Sequence, residues 1–259
     1  MAFLEFNFRS HALIMNVPVN VILPEMSSTA PCGGAPEGTY KTLYLLHGLG
    51  GNHTDWIRKT AIERYATTHG IAVVMPGVAR SWYTDTVYGA NYFTFITEEL
   101  PTVCRSYFKG MTDKREDNLI GGLSMGGYGA IKAAMTYPDR YSACFSLSGA
   151  LDITRKGRKY SLPEWQSIFN YEMVSADELE GSYHDIFALT KKNAEAQLPF
   201  PKMYTWCGTE DTLITINQEY ADLLTQLEIP HLWEKSSGTH NWKYWDVQAE
   251  VALNYIFHK

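Results

Sequence analysis

The stretch Asn118-Leu119-Ile120-Gly121-Gly122-Leu123-Ser124-Met125-Gly126-Gly127-Tyr128-Gly129-Ala130 decides how this chain folds. An apolar run opens it, and the helix-compatible Ala130-Ile131-Lys132-Ala133-Ala134-Met135 closes it. Between them stands G-x-S-x-G, as Gly122, Ser124 and Gly126. A strand that turns sharply into a helix puts the residue at the turn into strained backbone geometry. Side chains two positions to either side would strike neighbouring backbone, hence glycine at both. Ser124 then sits at a helix N-terminus, whose free N–H groups and dipole favour developing negative charge. A glycine-rich loop can match the pattern by chance, but the strand before and the helix after favour a nucleophile elbow. The Met125 amide is then placed as an oxyanion donor.

Outward from the elbow, apolar runs at 42–46, 71–75, 119–123, 143–147, 203–207 and 231–235 alternate with helical stretches, and two strands at 4–9 and 17–23 precede them. Short continuous apolar runs suit strands covered on both faces. Alternation with helices implies a mostly parallel sheet with right-handed crossovers. The class is therefore α/β, and with the elbow it is an α/β-hydrolase fold with helices on both faces. The 259 residues suit one large domain over 1–259. A Gly- and Pro-rich loop at 27–38 reads as an exposed tip. Between the sixth and seventh strands, residues 152–201 are more than a crossover helix needs. They carry Trp165, Phe169, Tyr171 and Tyr183 and read as a partly helical, cap-like insertion over the C-terminal edge of the sheet.

A serine hydroxyl is a poor nucleophile until a base takes its proton. In this fold the chain order is Ser, acid, His. Of eight histidines, His240 fits, in Ser236-Ser237-Gly238-Thr239-His240-Asn241-Trp242 just beyond the last strand. For the acid, Asp211 follows the preceding strand in Cys207-Gly208-Thr209-Glu210-Asp211, and Asp152 competes from one strand earlier. Asp211 holds the more usual position, and Glu210 reads as a solvated neighbour. The second oxyanion donor belongs to Leu45-Leu46-His47-Gly48-Leu49-Gly50-Gly51-Asn52, with Leu49 the first choice and Gly50 the second. His47 there reads as a residue that holds the loop by hydrogen bonding. Gly50, His53 and Trp165 are the candidate substrate contacts.

Composition excludes several other classes. Net charge is −6, and the longest basic run, Arg155-Lys156-Gly157-Arg158-Lys159, has no residues interleaved with it for base stacking and reads as a solvated loop face, so nucleic-acid binding is not expected. No apolar run approaches the roughly 20 residues of a membrane span. The N-terminus alternates apolar and polar residues with no secretory pattern, which leads to the expectation of a cytoplasmic protein. Cys32, Cys104, Cys144 and Cys207 lack metal or redox spacing and read as buried thiols. No His-x-x-x-His or similar cluster is present, so neither metal nor cofactor is expected. Aromatic content of 14% serves cores, pockets or a homo-oligomer interface.

Four motifs in this order resemble the esterase D family: Leu46-His47-Gly48-Leu49-Gly50-Gly51, Gly121-Gly122-Leu123-Ser124-Met125-Gly126-Gly127, Cys207-Gly208-Thr209-Glu210-Asp211 and Gly238-Thr239-His240-Asn241-Trp242. That family includes S-formylglutathione hydrolases, feruloyl and acetylxylan esterases and mycolyltransferases. The likeness is strongest to the tributyrin esterases of lactic acid bacteria and streptococci. It implies a triad of Ser124, Asp211 and His240, with oxyanion donors at Leu49 and Met125. It also implies a serine carboxylesterase acting on a small-molecule ester, acetyl to butyryl, through an acyl-enzyme. Acyl transfer to an alcohol and a carbohydrate-directed acetyl or feruloyl esterase stay open. S-formylglutathione hydrolases usually carry His-Ser-Met-Gly-Gly-His and Asp-His-Ser-Tyr-Tyr, whereas this chain has Leu123-Ser124-Met125-Gly126-Gly127-Tyr128 and Thr239-His240-Asn241-Trp242, which disfavours that activity. A hydrolase-like binding protein is disfavoured because all three triad positions are filled.

Overall fold

Strands that are apolar throughout can be satisfied only by cover on both faces. The computed structural model describes residues 1–25, 38–87, 89–153, 168 and 179–258, and there the cover is complete at the centre of the sheet. Strands β3 (Thr42–Leu46), β4 (Ala72–Pro76), β5 (Asn118–Leu123) and β6 (Ala143–Leu147) are buried at every residue. At the edge, β1 (Ala2–Ser10) alternates half-buried with exposed positions, as the period of its sequence requires. With β2 (Met15–Leu23), β7 (Lys202–Gly208) and β8 (His231–Ser236) they form one eight-stranded sheet in the order β1-β2-β4-β3-β5-β6-β7-β8. The β1–β2 and β2–β4 pairs are antiparallel, and all others are parallel.

Each face carries its own core. On one side α1 (Asp55–Lys59), α2 (Ile62–His69) and α7 (Trp242–Phe257) bring Trp56, Tyr65, Trp245 and Leu253 onto Leu45, Val73 and Phe145. On the other, α3 (Leu100–Tyr107), α4 (Met125–Thr136), α5 (Ile186–Glu195) and α6 (Ile214–Gln226) set Leu100, Ile131, Ile186 and Tyr220 against Tyr44, Ile120 and Cys144. This is an α/β-hydrolase-type fold with helices on both faces. The parallel strands end together at one edge, where the loops after β3, β5, β7 and β8 meet. Cys104, Cys144 and Cys207 are buried free thiols, and Cys32 lies outside the described residues. So do 154–167 and 169–178, with Trp165, Phe169 and Tyr171, and nearly all of the 27–38 loop. Among the described residues no helix is long and apolar enough to cross a membrane.

Candidate active site

Ser124 joins β5 to α4 with φ 53° and ψ −118°, a left-handed geometry that a non-glycine residue holds only when its surroundings fix it. They do so through three main-chain bonds. The Ser124 amide donates to the Leu147 carbonyl at 2.9 Å, and the Ser124 carbonyl accepts from the Tyr128 and Ala150 amides at 3.1 and 3.0 Å. Gly126 is required here because a Cβ would overlap the carbonyls of Leu46 and His47. The elbow therefore packs directly on the end of β3.

The loops after β7 and β8 face Ser124 from the other side. The Nδ1 of His240 lies 2.9 Å from Asp211 Oδ2, and its Nε2 lies 3.0 Å from Ser124 Oγ. A carboxylate only accepts, so Nδ1–H donates to Asp211 and Nε2 is left to accept the Ser124 hydroxyl. The Asp211 side chain is 0% exposed and that of His240 36%. Burial alone would raise the Asp211 pKa, but the bonds from His240 and from the Leu213 amide outweigh it and hold the carboxyl below its ordinary range. The neighbouring Cys207 thiol is pushed up to about 12, first by burial and then by Asp211, so it stays protonated.

Glu210 does more than the solvated neighbour expected from sequence. Its Oε2 accepts the Gly238 amide at 2.6 Å, tying the acid's turn to the approach of His240. That bond is the leading cause of its lowered pKa. Acceptors for a distant amide have no sequence pattern, so only the fold reveals this clamp.

On the β3 side, Val78 N–H donates to His47 Nε2 at 3.1 Å, which leaves the ring proton on Nδ1 to donate to the Gly48 carbonyl at 2.8 Å. Burial lowers the His47 pKa and keeps the ring neutral. The Gly51 amide also donates to the Gly48 carbonyl, at 3.0 Å. In a planar trans peptide the Leu49 N–H points opposite to that pinned carbonyl. Gly48 itself is against the nucleophile, since a Cβ there would lie 3.5 Å from Ser124 Cβ. Tyr83 Oη donates to the His47 carbonyl at 2.9 Å and secures the loop from beneath.

The structure thus gathers Ser124, Met125, His240, Asp211 and the Gly48–Leu49 peptide. Gly50 is exposed, with φ +78° and open space around it. His53 has its buried Nδ1 without a hydrogen-bond partner, 3.4 Å from where a Cβ on Gly77 would stand. Trp165 falls outside the described residues. Among those residues no three His, Cys, Asp or Glu side chains stand together as metal ligands.

A family profile described as putative esterase matches residues 10–255. The acetyl esterase of Caldicellulosiruptor saccharolyticus is 33% identical, over 99% of this chain and 98% of its own. Among solved structures, the substrate-bound fluorophosphonate-binding serine hydrolase F of Staphylococcus aureus is 32% identical. It covers 100% of this chain and 99% of its own at a TM-score of 0.89. The S-formylglutathione hydrolase of the same organism is 31% identical, covers 99% of both chains and gives a TM-score of 0.86.

Proposed function

The chain belongs to the family of putative esterases and is a carboxylic-ester hydrolase, and from that premise we propose that it is a serine esterase that cleaves soluble short-chain esters, acetyl to butyryl, with Ser124 as nucleophile. The observation that carries this is the unbroken chain Asp211–His240–Ser124, with contacts of 2.9 and 3.0 Å, ending on a serine in strained elbow geometry. Ser124 Oγ attacks the ester carbonyl carbon while its proton passes to His240 Nε2. The carbonyl oxygen becomes an oxyanion, met by the Met125 and Leu49 amides. Donors of this kind are worth a few kcal/mol each. His240 returns the proton to the departing alcohol, and Asp211 stabilises the imidazolium in between. Water, activated by the same imidazole, then releases the acid from the acyl-enzyme.

The acetyl esterase relative supports a short acyl group. The resemblance to esterase D and tributyrin esterases points the same way. A second reading, thioester hydrolysis on S-formylglutathione, draws support from the Staphylococcus aureus neighbour of that name. The departures at Leu123, Tyr128 and Thr239-His240-Asn241 count against it.

One substrate panel tests both readings. Across p-nitrophenyl esters from acetate to palmitate, kcat/KM should peak by about four carbons and then fall, as longer chains meet the pocket wall. Activity on S-formylglutathione should stay well below that peak, and a fluorophosphonate probe should label the wild type but not Ser124→Ala. A maximum at eight carbons or beyond would overturn the short-chain reading, and a dominant thioester rate would favour the second.

A further inference from the structure

Three tryptophans stand in file behind the candidate base. Trp56 and Trp242 meet edge-to-face at 5.1 Å and 85°, and Trp242 meets Trp245 at 5.5 Å and 84°. Trp245 in turn meets the His240 ring at 4.7 Å and 87°. Both ends of the file are tethered. Trp56 Nε1 donates to the Leu46 carbonyl at 3.1 Å, at the root of the Gly48–Leu49 loop. Trp245 Nε1 donates to Ser148 Oγ at 3.1 Å. Ser148 is fully buried at the end of β6 with φ 48°, and its amide is bonded to the Trp206 carbonyl at 2.7 Å.

We propose that Trp245 is a positioning residue for His240: its indole, locked in rotation by Ser148, fixes the plane of an imidazole that Asp211 holds at only one nitrogen. This rests on His240 being the base. The second contact, Nε2 to Ser124 Oγ at 3.0 Å, is given up once Oγ is acylated, and the one bond that remains leaves the ring free to swing about the Nδ1–Asp211 axis. The His240 side chain is more than one-third exposed, so solvent offers that motion little resistance. Trp245 is 5% exposed and carries the ordered indole edge-to-face against it. Such aromatic pairs have a preferred crossed geometry, which resists the swing. Edge-to-face contact through Trp242 and Trp56 refers that plane to the strand that carries the Leu49 amide. Base and oxyanion loop are then held by one apolar strut, although they come from opposite ends of the chain.

The test is steady-state kinetics on Trp245→Phe, Trp245→Ala and Ser148→Ala, with active sites counted by fluorophosphonate titration so that unfolded protein does not enter the rate. Misplacing a reacting group by an ångström can cost about a hundredfold, so Trp245→Ala should lower kcat by about tenfold to a hundredfold with KM nearly unchanged. Trp245→Phe keeps a ring against His240 and should recover most of that loss. Ser148→Ala frees the indole and also removes the hydroxyl that bonds the Asp211 carboxyl, so it should lose more than Trp245→Phe, and a wild-type rate in it counts against the proposal even if Trp245→Ala does not fold. Wild-type kcat per titrated site in Ser148→Ala together with either Trp245 variant would overturn the proposal. So would equal losses in Trp245→Phe and Trp245→Ala. His240→Ala is the control for the parent reading: if it stays fully active, His240 is not the base, whatever the tryptophan variants do.

Discussion

Asp211 accepts from the His240 ring and from the Leu213 amide while wholly buried, so each of its oxygens has a task. Asparagine in its place would offer an NH2 where His240 needs an acceptor. The imidazole would then keep its proton on Nε2 and could not take one from Ser124. Asp211→Asn should therefore lower kcat by about 10⁴-fold with little change in KM. Asp152→Asn should retain most of the wild-type rate, and a collapse there with a healthy Asp211→Asn would reverse the two. The sequence already offered both carboxylates, because each follows a strand. It favoured Asp211 by position alone, and the 2.9 Å contact supplies the physical reason. The elbow was legible because G-x-S-x-G is local, a consequence of sterics within five residues. Glu210 and Ser148 were not, since their partners lie 28 and 97 residues away and obey no spacing rule.

The acid and base loops are brought together by two parallel strands whose last paired residues are Gly208 and Ser236. Just beyond, Gly208 lies so close to Gly238 that a Cβ would overlap the Gly238 carbonyl, which is backbone and cannot swing aside. Gly208→Ala must push the β7 and β8 loops apart. Overpacking of this kind costs about 1–3 kcal/mol in stability, and the separation should lengthen the His240–Asp211 bond and lower kcat as well. Urea denaturation and kinetics on the same preparation check it, and a variant as stable and active as the wild type would contradict it. Strand positions were legible to within a residue or two of each end, because the central strands, buried on both faces, leave an apolar signature and β1 leaves an alternating one. The β1–β2 turn was not. It bends at Ile14 with φ 56°, where glycine or asparagine would ordinarily mark a turn. The turn is held instead by Glu99, whose carboxylate accepts the His11 and Ala12 amides at 2.6 and 3.2 Å from 88 and 87 residues away.

A buried amine that the proposed reaction does not use ties three segments of the molecule together. Lys132 of α4 is fully buried, with Nζ 2.9 Å from Thr84 Oγ1 and 3.2 Å from His184 Nδ1, and it sits over the rings of Phe93 and Tyr183 at 4.7 and 4.5 Å. It joins the nucleophile helix, the loop after β4 and the segment that leads into α5. Burial lowers its pKa well below the ordinary value, with Asp85 opposing. Burial, and then Lys132, push His184 down to about 2 from an ordinary 6.5. The native state therefore refuses a proton at His184 that the unfolded chain accepts below its ordinary pKa. The contribution to stability is complete above pH 6.5 and is lost progressively as pH falls from there toward 2. A single such proton changes stability by at most about 1.4 kcal/mol per pH unit. Asp211 works in the same direction but lower, below its ordinary 3.8. His47, His53 and His69 are also lowered by burial, so the wild-type slope belongs to several groups and only a difference isolates one. In His184→Gln the amide oxygen can still accept from Lys132, but no proton is taken up on unfolding. Its urea midpoint should therefore fall less than that of the wild type between pH 7 and pH 5. Parallel curves for the two proteins would mean that His184 takes up its proton in the folded state after all, and that the Lys132 cage tolerates a second charge.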